Sequence, residues 1–306
     1  MNTLNLPPGI TLFERGWLSS NNILLHGTHS TALVDSGYAS HAPQTLALLH
    51  SALKERTLDT LVNTHLHSDH CGGNAALQAR YSALHTLIPP GHAPQVAAWD
   101  ATALSYTPTG QVCPRFGFNA TLQPGSSLEL GGQHWQVHAA PGHDTHSVIL
   151  FEPSARVLIS ADALWQNGFG VVFPELDGSD AFAEVAQTLD LIETLQPTTV
   201  IPGHGSAFTD VAEALARARR KLQGFVQDPA KHRRYAAKVL LKFKLLEVQS
   251  LDFEALLQWA QGTALLLHLH QTEAASSALD PWLEVLVNDL VRAQAAAWHG
   301  RQVCNV

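Results

Sequence analysis

Cysteine is scarce in this chain of 306 residues: Cys71, Cys113 and Cys304 are the three it has, and none forms a CxxC pair. That excludes a disulfide framework and a thiolate zinc site, and it favours a reducing compartment. Charge is thin as well, at 14% Asp, Glu, Lys and Arg against about 25% in ordinary soluble domains. With 45% apolar residues, most elements need at least one buried face. No apolar run approaches the ~18 residues that span a bilayer, and the opening MNTLNLPPGITLFERG lacks a basic start followed by an apolar core. The expectation is a cytoplasmic protein with no membrane partner. A formal charge of -8 makes nucleic acid a poor partner for the molecule as a whole.

Histidine, by contrast, is abundant at 18 residues, and three fall within six positions. The stretch is Thr64-His65-Leu66-His67-Ser68-Asp69-His70-Cys71-Gly72-Gly73-Asn74, directly after an apolar run. Imidazole and carboxylate together suit zinc, iron or manganese. His65 and His67 are two apart, so on an extended segment they project to one side, leaving Asp69 and His70 for a second ion.

The order of elements places this string. Short β-type runs at residues 10–13, 22–26 and 31–34 are separated by Gly, Ser and Asn, the signature of consecutive antiparallel strands. Residues 43–54 carry Leu46, Leu49 and Leu53 on one helical face, with Pro43 at an early position where proline is tolerated. A buried strand at 57–64 ends where the His/Asp string begins, and a short helix is expected at 75–80. A strand at 84–88, a helix at 93–104 and a long irregular loop at 105–125 follow. A second β block is predicted at 127–130, 135–139, 147–151 and 157–160, then a helix at 180–195 and a strand at 199–201. This repeated order predicts two similar halves whose sheets pack face to face with helices outside, making four layers. Beyond about residue 215 strands are expected to stop, with helices at 212–225, 233–247, 253–262 and 282–298. The predicted domains are therefore 1–215, catalytic, and 216–306, a helical subdomain that could be winged-helix-like, with Gln227-Asp228-Pro229 as a break.

Three later positions put further ligand types at strand ends: Pro141-Gly142-His143-Asp144, Ser160-Ala161-Asp162-Ala163 and Pro202-Gly203-His204-Gly205. Pro and Gly force a turn as the strand emerges, which aims the imidazole above the sheet edge. Seven candidate ligands result, and Asp162 could serve two ions.

With these motifs the sequence closely resembles the metallo-β-lactamase fold superfamily over residues 22–205, including the acidic turn Leu33-Val34-Asp35-Ser36-Gly37. The resemblance implies an αββα sandwich, of class α/β (α+β). It implies that His65, His67 and His143 hold one divalent metal ion, most simply zinc, that Asp69, His70 and His204 hold the other, and that Asp162 lies between them. Asp162 separates the chain from true β-lactamases, and T-H-x-H-x-D-H-x-G-G-N is similar to the glyoxalase II (hydroxyacylglutathione hydrolase) branch. Ala161 stands where that pattern usually has Gly. The function implied is hydrolysis of a small ester-like bond, thioester ahead of lactone, by a hydroxide that two cations generate, with Asp69 as proton acceptor. Phosphodiester cleavage, or a regulatory metal-binding role with residual hydrolase activity, is the alternative.

Other residues carry weaker signals. Asp35 reads as a turn carboxylate bonded to a ligand histidine, and Cys71 as a small packing residue. Asp144 and His146 could support the site or simply occupy an exposed turn. Trp165, Phe169, Phe173 and Pro174 could wall a substrate pocket, with core packing equally open. Ten of the 18 Lys and Arg fall at Arg217, Arg219, Arg220, Lys221, Lys231, Arg233, Arg234, Lys238, Lys242 and Lys244. A solvated helical face is the plain reading; contact with an anionic handle of a small-molecule substrate is the functional one. The leucine-rich end, 245–306, is expected to pack against the sandwich or a second subunit as a homodimer.

Overall fold

The computed structural model describes residues 6–306; the first five, part of the opening stretch read above for a leader, lie outside the described residues. The chain divides into two compact units, one holding the residues up to Asp100 together with Cys113–Gln223, the other Ala101–Val112 with Gly224–Val306.

The first unit is built on two sheets. The first sheet contains β1 (Ile10–Phe13), β2 (Asn22–His26), β3 (Thr31–Val34), β4 (Thr60–Val62), β5 (His85–Ile88) and β6 (Ala120–Thr121), in that spatial order. β1, β2 and β3 run antiparallel, whereas β3 to β6 are mutually parallel. The second sheet contains β7 (Ser127–Leu130), β8 (Gln133–Ala139), β9 (Val148–Glu152), β10 (Val157–Ala161) and β11 (Thr199–Pro202), antiparallel except for the parallel pair β10 and β11.

Alternation along the strands decides what each face touches. Ile23, Leu25, Ala32, Val34 and Val62 meet Trp135, Val137, Leu150 and Ile159 of the second sheet in one core. The intervening Leu24, Leu33 and Leu61 meet Leu49 and Leu53 of α1 (Ala42–Leu53) in another, which also takes in Leu77. Strands buried on both faces therefore read as continuous apolar runs. Two short helices, α2 (Ser68–Cys71) and α3 (Asn74–Arg80), follow β4. Next come α4 (Ala93–Ala98) and α5 (Tyr106–Thr109). After β10, α6 (Phe173–Leu176) leads into α7 (Ala181–Leu195), which buries Phe182, Val185, Leu189 and Ile192 at helical spacing. The architecture is the four-layer αββα sandwich.

Helix α8 (Val211–Gln227) carries the chain from the first unit into the second. The second unit holds α5 together with α9 (Pro229–Val248), β12 (Ser250–Asp252), α10 (Phe253–Gln261), α11 (Ala264–Ala274), α12 (Leu279–Arg292), β13 (Ala296–His299) and β14 (Gln302–Asn305). Leu245, Leu256, Leu266, Leu283 and Leu286 are fully buried. No helix among the described residues is long and apolar enough to cross a membrane.

Four expectations are corrected. Strands do not end near 215: β12, β14 and β13 form a small antiparallel sheet, and the helix expected to reach Trp298 stops at Arg292. The apolar spacing of α12 runs on into β13, so helical periodicity masked a strand. The helix expected over 93–104 ends at Ala98, where Trp99 turns left-handed at φ 57°, and the irregular loop contains α5 and β6.

Candidate metal centre

Topology brings the seven candidate ligands to one edge. β8 and β10 are each antiparallel to β9, so they point the same way, and β11 is parallel to β10. Their C-terminal ends therefore release His143, Asp162 and His204 on one side. The segment after β4 releases His65 to His70, and Val148 N donates to Thr64 O at 2.8 Å, linking the two sheets there.

The side chains converge in two groups, His65, His67 and His143, and Asp69, His70, Asp162 and His204, each with its ligand atoms within 4.8 Å of one another. Asp162 touches both: Oδ2 lies 3.4 Å from Nε2 of His143, and Oδ1 lies 3.4 Å from Nε2 of His70. Asp69 Oδ2 accepts from Nε2 of His204 at 3.1 Å.

Nitrogen lone pairs are set by what the other ring nitrogens meet. Nδ1 of His143 donates to the carbonyl of Val171 at 2.5 Å, so its Nε2 keeps a lone pair, 2.8 Å from Nδ1 of His67. Nδ1 of His70 faces Asp35 Oδ2 at 2.7 Å, and the same carboxylate accepts from the amide and hydroxyl of Thr64. Buried Nε2 of His65 has no hydrogen-bond partner among the described residues. An unsatisfied buried imidazole nitrogen facing two further imidazoles is what a divalent cation would complete, so the donor set fits the metal its chemistry calls for.

Protonation agrees. Burial, reinforced by the charges of His70, His67 and His143, holds His65 well below the ordinary imidazole range. Burial and then His67 bring His143 down to about 4. At His70 burial opposes ionisation, but Asp162, Asp35 and Asp69 outweigh it and raise the imidazole well above its ordinary value. Burial likewise works against the charge on Asp162, yet His204 and His70 pull it well below the carboxylate range. One group is thus a set of neutral imidazoles, the other a set rich in negative charge.

Glycine permits the close approach. A Cβ on Gly203 would lie 2.2 Å from Asp162 Oδ1, and one on Gly170 would lie 2.3 Å from Nδ1 of His143. Ala161 adopts φ 47°, a left-handed conformation, which explains why the family pattern has Gly there.

Asn21 and Trp17 had no signal in the sequence, whereas Arg217 and Lys221, read there as part of a solvated basic face or a substrate contact, meet protein carbonyls instead. Asn21 donates to the carbonyls of Pro202 and Gly205 at 2.9 and 2.7 Å, and Gly203 O accepts its amide, fixing the turn that carries His204. Trp17, 54% exposed, stacks on the His204 ring at 5.3 Å and 10°. Lys221 donates to the carbonyl of Phe169 at 2.8 Å, and Arg217 to that of Gln166 at 2.8 Å, so α8 grips the segment that follows Asp162. The other basic residues with resolved partners meet protein groups too, such as Arg219 with Asp190 and Glu193, and Arg234 with Asp289. Of the suspected wall, Phe173 lies edge-on to His67 and His143, Trp165 donates to Asp162 Oδ1 at 3.2 Å, and Phe169 is buried. Asp144 is buried, with Oδ2 3.8 Å from Nε2 of His67, so it is no exposed turn residue.

A family model described as the metallo-beta-lactamase superfamily matches residues 15–204, the segment that contains all seven residues. The chain belongs to the metallo-beta-lactamase superfamily. Within it, the chain is 27% identical over 190 residues to a hydroxyacylglutathione hydrolase of Brucella anthropi, covering 61% of this chain and 58% of that protein. It is 26% identical over 161 residues to the acyl-coenzyme A thioesterase MBLAC2 of Gallus gallus, covering 48% of this chain and 56% of that one. The chain thus spans a little over half the length of these relatives. A metallo-beta-lactamase family protein of Thermus thermophilus shares the fold, with a TM-score of 0.60 at 19% identity, covering 99% of this chain and 100% of the other.

Proposed function

We propose that the protein is a dinuclear metal-dependent hydrolase that cleaves thioesters, ahead of lactones, with His65, His67 and His143 holding one ion, Asp69, His70 and His204 the other, and Asp162 serving both. The observation that carries this reading is Asp162, whose two oxygens each lie 3.4 Å from an imidazole nitrogen of a different group. Bound there, two divalent ions, zinc by donor chemistry, would supply a hydroxide nucleophile at neutral pH and polarise the scissile carbonyl.

The chain's own residues do the rest. Asp69, held ionised by His70 and His204 despite its burial, orients the attacking water and accepts the proton that water loses on becoming hydroxide. Asp35 and Val171 O keep protons on the Nδ1 atoms of His70 and His143, so that their Nε2 atoms stay available. Phe173 lies against His67 and His143 and offers an apolar surface to the acyl group. Thioester chemistry is favoured because the relatives named above act on glutathione and coenzyme A thioesters.

The test is metal analysis paired with a panel of S-lactoylglutathione, an acyl-coenzyme A, a homoserine lactone and bis(p-nitrophenyl) phosphate. Two metals per chain with thioester turnover ahead of the other classes is the expected result. Preferred cleavage of the phosphodiester, or full occupancy with no turnover at all, would overturn it.

A further inference from the structure

Two thiols meet beside the metal centre. Sγ of Cys71 lies 3.8 Å from Sγ of Cys113, although the residues are 42 positions apart. Cys71 is fully buried at the end of α2 and faces the carbonyls of Leu66 and His67 at 3.4 and 3.3 Å. Cys113 is half-buried, with its sulfur toward the carbonyl of Pro114. A disulfide requires about 2.0 Å between sulfurs, so a closure of about 2 Å would join them.

We propose that Cys71 and Cys113 are a dithiol site that small disulfides such as glutathione disulfide oxidise reversibly to an intramolecular bond. Cys113, the accessible thiol, gives its proton to solvent and attacks one sulfur of glutathione disulfide, which releases one glutathione thiolate to be protonated. The Cys71 sulfur then attacks the Cys113 sulfur of the mixed disulfide, and the second glutathione leaves, taking up the proton Cys71 gives up. Two protein thiols are oxidised and one glutathione disulfide is reduced to two glutathione molecules. In a reducing compartment the dithiol is the resting form.

The site is coupled to the metal centre by position. Cys71 directly follows His70, and beyond it the backbone has no slack: a Cβ on Gly72 would lie 2.6 Å from Ala39 N, and one on Gly73 2.5 Å from Ser36 O. Whatever part of the closure the Cys113 segment does not supply must therefore be taken up in the turn that carries Asp69 and His70.

The experiment incubates the full chain with glutathione disulfide and counts thiols after denaturation. The count is expected to fall from three to one, to return with dithiothreitol, and to give a tryptic peptide linking Cys71 to Cys113. Cys304→Ser should leave the link intact, and Cys113→Ser should abolish it. Three thiols remaining, a link through Cys304, or Cys113 stalled as a glutathione adduct would overturn the proposal. Zinc affinity of the oxidised protein, measured by chelator competition, should be about tenfold or more weaker than that of the dithiol form, in line with what disturbed ligand support costs; an unchanged affinity would overturn the coupling.

Discussion

Nδ1 of His70 lies 2.7 Å from Oδ2 of Asp35, whose carboxylate is also held by the amide and hydroxyl of Thr64. Asp35 itself sits at φ 59°, at the end of β3, so the strand delivers this carboxylate from beneath the string that carries the histidines. Asp35→Ala removes the group that fixes the His70 tautomer. Zinc affinity, measured by chelator competition, should fall by about 10- to 100-fold while circular dichroism is retained.

Gly203→Ala tests how tightly the centre is built. The added methyl meets Asp162 Oδ1 at 2.2 Å and His70 Cε1 at 3.0 Å, so Asp162 must move. Metal content should drop from two ions to one or none, with hydrolysis lost in parallel.

Phe173 lies 5.0 Å from the ring of His67 and 5.7 Å from that of His143, yet it carries no ligand atom. Phe173→Ala should raise KM for long acyl thioesters and leave bound metal unchanged. An unaltered KM would remove Phe173 from the substrate pocket.

Lys221 gives a pH signature. Burial pushes its ammonium down to about 8, with Asp162 opposing, while Nζ donates to Phe169 O. In the unfolded chain a lysine titrates near 10.4, so between about pH 8 and about pH 10 the unfolded state holds the extra proton and stability rises with pH. Below that window the lysine is charged in both states and the slope vanishes. The urea midpoint of the wild type should climb across that window by more than that of Lys221→Met.

Much of this was legible in the sequence because it is local. The strands at Ile10–Phe13, Asn22–His26 and Thr31–Val34 coincide with their predicted runs, since alternation and turn residues decide them within a few positions. All seven candidate ligands announced themselves by residue type at strand ends. Trp17 and Asn21 did not, because each reaches the centre only through contacts across the fold, such as Asn21 to Pro202 and Gly205; Lys221 stood out only as one of ten basic residues, with nothing to show its bond to Phe169 O. The strands β13 and β14 were hidden for a different reason: they turn at Gly300, φ 62°, directly after a helix whose apolar spacing obscures its own end.

Whether two ions act together through Asp162 is decided by titrating metal-free protein with zinc while following hydrolysis of an acyl thioester. Activity should rise to a plateau at two equivalents, and Asp162→Asn should abolish it. A plateau at one equivalent, or full activity in Asp162→Asn, would rule out a two-ion centre joined by Asp162.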